Sequence, residues 1–203
     1  MIKTARDVFG AAAFVLLLAA SAWAQGTMRV RGTIERVDGN TLVVKSRDGA
    51  ELKVALPDNA LIVAIVKASM ADVKKGSFVG VTGMPQADGS QRAIEVHIFP
   101  ESMRGTGEGH YAWDLRPGST MTNANVEQTV TGVDGPTLTV KYKDGEKKLT
   151  VPPDATIVTY MPGDKSELKP GTKIFIGAAK KLPDGTLETP RINYGRDGLT
   201  PPM

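Results

Sequence analysis

The chain has 203 residues, 41% of them hydrophobic and 23% charged, with a net charge of +3. That balance is globular and excludes a collagen-like or wholly disordered chain. It has no cysteine, which excludes disulfides, thiolate metal centres, a catalytic thiol and a lipid-modified N-terminal cysteine. An aromatic content of 5% is poor for a base-stacking surface, so no nucleic-acid partner is expected.

The first 24 residues read as an address. Lys3 and Arg6 precede an apolar run from Val8 to Ala20, and Ala22-Trp23-Ala24 supplies a small-x-small cleavage pattern. The run is shorter than the ~20 residues a membrane span needs, and no later stretch reaches that length. A signal-peptide helix is therefore expected over 1–24, with export across the inner membrane, most simply to the periplasm. The processed chain is expected to begin at Gln25 and not to be an integral membrane protein. Loss of two cations and one anion takes the net charge only from +3 to +2, which implies no particular partner.

From residue 27 the chain reads as two copies of one unit. Ile34 to Asp58 (IERVDGNTLVVKSRDGAELKVALPD) aligns without a gap on Val130 to Asp154 (VTGVDGPTLTVKYKDGEKKLTVPPD). Leu42/Leu138, Val44/Val140 and Pro57/Pro153 are identical, as are the Asp-Gly turns at 38–39/134–135 and 48–49/144–145. DVKKG at 72–76 answers ELKPG at 167–171. Period-two alternation and these turns predict strands near 29–35, 42–45, 51–56, 61–66, 78–82 and 93–99, with a helical turn around 70–74. The second copy predicts the same order near 126–133, 137–143, 146–151, 156–160, 172–179 and 187–194. Five or six short strands per copy point to an all-β chain of two tandem OB-like barrels, 27–100 and 124–196, with an SH3-like barrel or sandwich as the alternative. A linker (101–123) joins them and a tail (197–203) follows.

The linker, ESMRGTGEGHYAWDLRPGSTMTN, carries Tyr111 and Trp113, which a flexible spacer would not favour. These aromatics are expected to dock on the barrels and to hold Glu108–Leu115 in place. GTGEG at 105–109 is not followed by a helix, so it does not read as a dinucleotide loop.

The VDG-x-TLxVKxxDG pattern, written twice with its later turns, resembles a family of exported bacterial OB-like β-domains of unknown function. The linker from Met103 to Asn123, PPDATIVTYMPGDKSELKPG at 152–171 and the GRDGLTPPM end are similar to a proteobacterial set sometimes labelled "metal ABC transporter permease". The resemblance implies export and a small-barrel fold. A permease needs several spanning helices, which this sequence lacks, so only the hint of metals carries over.

No GxSxG, HExxH or SxxK motif occurs, so no enzyme is expected, and Glu108 and Asp114 read as solvated loop acids. His97 shares a strand face with Ala93, Glu95 and Phe99, opposite Ile94, Val96 and Ile98, and reads as a surface histidine beside Glu95. The sharper alternative is a copper or other transition-metal site, with no other cofactor, formed by His97, His110, Met103 and Met121, since thioethers suit Cu(I). Tyr111 and Trp113, with Lys141, Lys143, Lys147 and Lys148, form a candidate binding surface. The chain is thus expected to be an exported binding protein whose partner is an envelope protein, a glycan or an anionic polymer.

Overall fold

The structure, a computed structural model, describes residues 27–203. The expected signal peptide lies outside the described residues. Within them the chain is all-β apart from single 3-10 turns, and no helix is long and apolar enough to cross a membrane. The first copy forms β1 (Met28–Asp38), β2 (Thr41–Ser46), β3 (Glu51–Ala55), β4 (Leu61–Lys67), β5 (Phe78–Pro85) and β6 (Gln91–Ile98). The middle segment adds β7 (Gly109–Ala112). The second copy forms β8 (Thr120–Gly132), β9 (Gly135–Tyr142), β10 (Gly145–Thr150), β11 (Thr156–Pro162), β12 (Lys173–Lys181), β13 (Leu187–Glu188) and β14 (Arg191–Gly195). Pro190, which cannot donate to a ladder, separates β13 from β14 where β6 runs unbroken.

The strands close into two five-stranded rings, but neither ring belongs to one copy. The first runs β1-β2-β3-β13-β12 and back to β1. The second runs β8-β9-β10-β6-β5 and back to β8. Each copy thus gives its first three strands to one ring and its later strands to the other. The expected barrels at 27–100 and 124–196 are corrected accordingly: two barrels form, but from exchanged strands. The crossing is made by β4 and β11, which pair antiparallel through Ala64↔Met161 and Ile65↔Tyr160. On either side, β14 adds parallel to β4 and β11 adds parallel to β6. All fourteen strands consequently form one continuous ladder.

Packing follows the exchange. One core joins Val30, Ile34, Leu42, Val44 and Val54 of the first copy to Ile174, Ile176, Leu187 and Ile192 of the second. The other joins Val79, Val81 and Val96 to Val126, Leu138, Val140 and Leu149. Burying each such side chain contributes about 1.5–3 kcal/mol. Removing the other copy's four aliphatics from the first core would cost roughly 6–12 kcal/mol, comparable to the ~5–15 kcal/mol net stability of a whole domain. Each core therefore depends on strands of both copies.

The gapless alignment is also revised. Ile34 and Val126 occupy the same position: each is 1% exposed, each precedes a bulge, and they face Val44 and Val140. Each also exchanges backbone bonds with the turn that opens the later strand of its ring, Ile34 with Gly171 and Thr172, Val126 with Gly76 and Ser77. Val130, the aligned residue, is 51% exposed on a hairpin that runs two residue pairs further than its counterpart.

Gly39, in the turn of the first hairpin, and Gly135, which follows the turn of the second and opens β9, have φ of +62° and +107°, a region that favours glycine. A Cβ on Gly135 would lie 2.3 Å from the Val151 carbonyl oxygen, whereas nothing lies within 4 Å of one on Gly39. Gly39→Ala should cost about 1–2 kcal/mol, the left-handed penalty. Gly135→Ala should cost about 3–4 kcal/mol, because overlap adds to strain. Urea denaturation of both variants checks this; equal losses would contradict the turn geometry.

Candidate functional site

The site grows out of β6. A bulge at Ile94 shifts the register from Thr82↔Glu95 to Gly83↔Ala93. Ala93 and Val96 consequently enter the ring core, with Ile98 packed against it, while Glu95, His97 and Phe99 point out of the ring. In a free-standing barrel that outer face would meet water. Here β11 lies along β6, with Val158 beside His97, and β4, β14 and β12 extend the surface to the other ring. His97 is 3% exposed and Glu95 is fully buried. The expected surface histidine is therefore corrected, and the strand exchange is what covers it.

Burial of these groups is compensated locally. Glu95 accepts from the Thr82 hydroxyl at 2.5 Å and pairs with His97 Nδ1 at 3.2 Å. The imidazole lies over Gly80, where a Cβ would come within 1.9 Å of His97 Nε2 and 2.6 Å of Asn123 Oδ1. Only glycine leaves that space. The ring meets Phe99 and Tyr160 edge-on, at 4.7 and 5.8 Å, and those two stack on each other at 17°. Burial raises the Tyr160 hydroxyl far above its usual range, and the Glu95 charge adds to this. Asn193 on β14 faces Phe175 as His97 faces Gly80, so Asn193 and Arg191 hold the places that His97 and Glu95 hold in the other copy. Arg191 Nε donates to Asn193 Oδ1, Nη2 reaches Met103 Sδ at 3.5 Å, and the guanidinium lies 5.8 Å from the Tyr160 ring centre.

The middle segment roofs this face, in keeping with its aromatic content. β7 pairs with β8, and Trp113 packs against the cluster of Ile65, Val158, Phe175 and Met203. Arg29 lies 4.1 Å over the indole. Asp114 bonds Arg31 at 2.8 Å, which holds its carboxyl below the usual range. Asn123 Nδ2 donates to the Thr106 carbonyl and to the Tyr111 hydroxyl. The tail closes the far side: the Met203 carbonyl accepts from Arg31 Nε at 2.7 Å, and Arg196 holds Glu167 with a pKa down to about 2. Between floor and roof lies a cavity of about 340 Å³ lined by His97, Phe99, Tyr160, Phe175, Trp113 and Arg191, among others. Two buried polar atoms of its lining residues lack any hydrogen-bond partner, Trp113 Nε1 and Asn123 Oδ1.

The expected metal set divides. His97, Met103 and Met121 line the cavity, but His110 does not. On β7 it alternates with Tyr111, so it turns to the other face, where Nδ1 meets the Thr122 hydroxyl at 2.8 Å and the ring stacks near Tyr142. Among the described residues no three His, Asp or Glu side chains cluster as metal ligands. Tyr111 and Trp113 both line the cavity, so of the expected binding surface they belong to this site. The four lysines do not make one patch. Lys141 sits opposite Glu146, Lys148 opposite Thr139, and Lys147 opposite the buried Val140 at the barrel mouth. Lys143 lies at the hairpin end, where its N–H bonds Glu108. Glu108 and Asp114 are thereby engaged separately, by the Lys143 amide and by Arg31. Sequence reasoning missed Glu95, Asn123, Tyr160, Arg191 and Asn193 as site residues. Comparison with family models, curated proteins and solved structures gives no match, so the site is read from its own chemistry.

Burial, with the nearby Lys147 ammonium second, holds the His110 imidazole below its usual 6.5. The folded protein then binds fewer protons there than the unfolded chain. Stability should fall as pH drops below about 6.5 toward the depressed folded value, and stay level above it. His110→Gln should flatten that decline. Urea midpoints measured from pH 8 down to about 5 check this; an unchanged slope would contradict it.

Proposed function

We propose that the protein is an exported, non-enzymatic binding protein of two OB-type barrels, and that its ligand is a small organic molecule held in the cavity between them. The observation that carries this reading is the lining of the cavity: four aromatic walls, Phe99, Tyr160, Phe175 and Trp113, with a few polar side chains, His97, Asn123 and Arg191, on one concave surface. A concave, mostly apolar space with a small number of placed polar groups is what small-molecule sites have in common. The volume of about 340 Å³ falls at the small end of ligand pockets, roughly 300–1,000 Å³. A half-open pocket of that size suits a small molecule better than a protein or polymer.

Each ring closes with its third strand parallel to its last and its first strand against its fourth, the order 1-2-3-5-4-1, which supports the OB-type reading. The leader-like first 24 residues support export to the periplasm. Binding is preferred to catalysis because, among the described residues, no serine lines the cavity, the Thr189 hydroxyl is engaged with the Ala178 and Arg191 carbonyls, and the Thr82 hydroxyl is committed to the Glu95 that pairs with the imidazole.

A copper-type site is the second reading, favoured by the one observation that His97, Met103 and Met121 line the same cavity. It ranks below because Met103 Sδ already faces the Arg191 guanidinium, which would repel a bound cation.

Trp113 is one of two tryptophans, and the other, Trp23, lies in the leader. A ¹⁵N-labelled processed chain should show one indole N–H signal. Screening a fragment library should find compounds that shift that signal, while Ag(I) under reducing conditions should not. Hits that leave the indole unmoved would refute the cavity as the ligand site; stoichiometric Ag(I) binding at the indole would favour the metal reading.

A further inference from the structure

The floor of the cavity is electrically lopsided. In one half, the Glu95 carboxylate is spent on the Thr82 hydroxyl and His97. In the matching half stands Arg191, whose bonds go to a neutral amide oxygen, a thioether and, from its backbone N–H, the Thr189 hydroxyl. Among the described residues no carboxylate pairs with Arg191, and it is the one cavity-lining side chain with a fixed charge. A half-buried guanidinium with spare donors and no counter-ion is an anchor for a planar anion, which it can grip through two parallel N–H···O bonds.

Resting on the cavity being the ligand site, we infer that the ligand is a small aromatic carboxylic acid. Its carboxylate meets Arg191. Its ring lies among Phe99, Tyr160, Phe175 and Trp113, whose stacked and edge-on arrangement favours a flat body over a flexible chain. The carboxylate belongs at the Arg191 end because the buried Glu95 charge repels it from the other.

The test uses the processed full chain and a panel of small aryl carboxylic acids, each beside its primary amide. Affinities come from calorimetry and the Trp113 indole N–H signal. Acids should bind about tenfold or more tighter than their amides. Arg191→Gln should erase the preference for acid over amide, and Arg191→Lys should keep part of it. The acid-to-amide comparison needs no variant, so a misfolded variant does not blunt the test. Equal affinity of acids and amides, both shifting the indole, would overturn this inference and leave the cavity reading standing. A panel in which no acid moves the indole overturns it as well, and if neutral fragments also fail, the cavity reading falls with it.

Discussion

Leu61–Lys67 and Thr156–Pro162 pair antiparallel about a point between Ala64 and Ile65, with Tyr160 and Met161 opposite. Because these are the fourth strands of the two copies, the pairing relates the copies by an approximate twofold. A fourth strand that lies on its counterpart leads away from its own barrel. The chain after it must then enter the other ring, and this happens once in each direction. The two cores, the continuous fourteen-stranded ladder and the cavity all follow from this crossing. The ladder is stabilised at both ends by apolar burial that draws on both copies.

The same crossing makes the site. Residues that point out of a small barrel ordinarily meet water, so they are free to be polar. The exchange folds the outer face of one ring against that of the other and lays the middle segment and the tail across both. Glu95, His97, Asn123 and Asn193 are thus buried, and Arg191 half-buried, as a consequence of topology rather than of hydrophobicity. Buried polar groups of this kind must be satisfied or remain a cost. Most are satisfied within the protein, and the two that are not belong to the lining of one cavity. The approximate twofold places Arg191 where the other copy has Glu95, which gives the site its polarity.

Much of the fold was legible in the sequence, because the signals that carry it are local. Asp-Gly turns and the alternation of Leu42, Val44, Leu138 and Val140 mark hairpins whichever ring they join. The aromatic content of 101–123 likewise foretold that the segment docks, since Trp113 has apolar area to bury. The exchange was not legible. Alternation records that Val79 and Ile174 face a core, but not whose core it is. For the same reason His97 was misread: its face is outward with respect to its barrel, and only the second barrel makes that face interior. His110 and His97 were separated by the pairing parity of β7, which composition does not encode. The gapless alignment failed over Ile34 because a longer hairpin in the second copy preserved the spacing while moving the buried residue to Val126.

The exchange itself is open to a direct measurement, since the chain has no native cysteine to interfere. In the exchanged topology Thr33 pairs with Lys173, whereas in a barrel built from one copy it would pair with Phe78, the residue that opens β5 as Lys173 opens β12. Two double variants are compared, Thr33→Cys with Lys173→Cys and Thr33→Cys with Phe78→Cys, each oxidised as a dilute monomer. The account predicts a rapid intramolecular disulfide in the first and none in the second, read by the mass of peptides cut without reduction. A disulfide joining positions 33 and 78, with 33 and 173 left as free thiols, would contradict the exchange and the shared cavity with it.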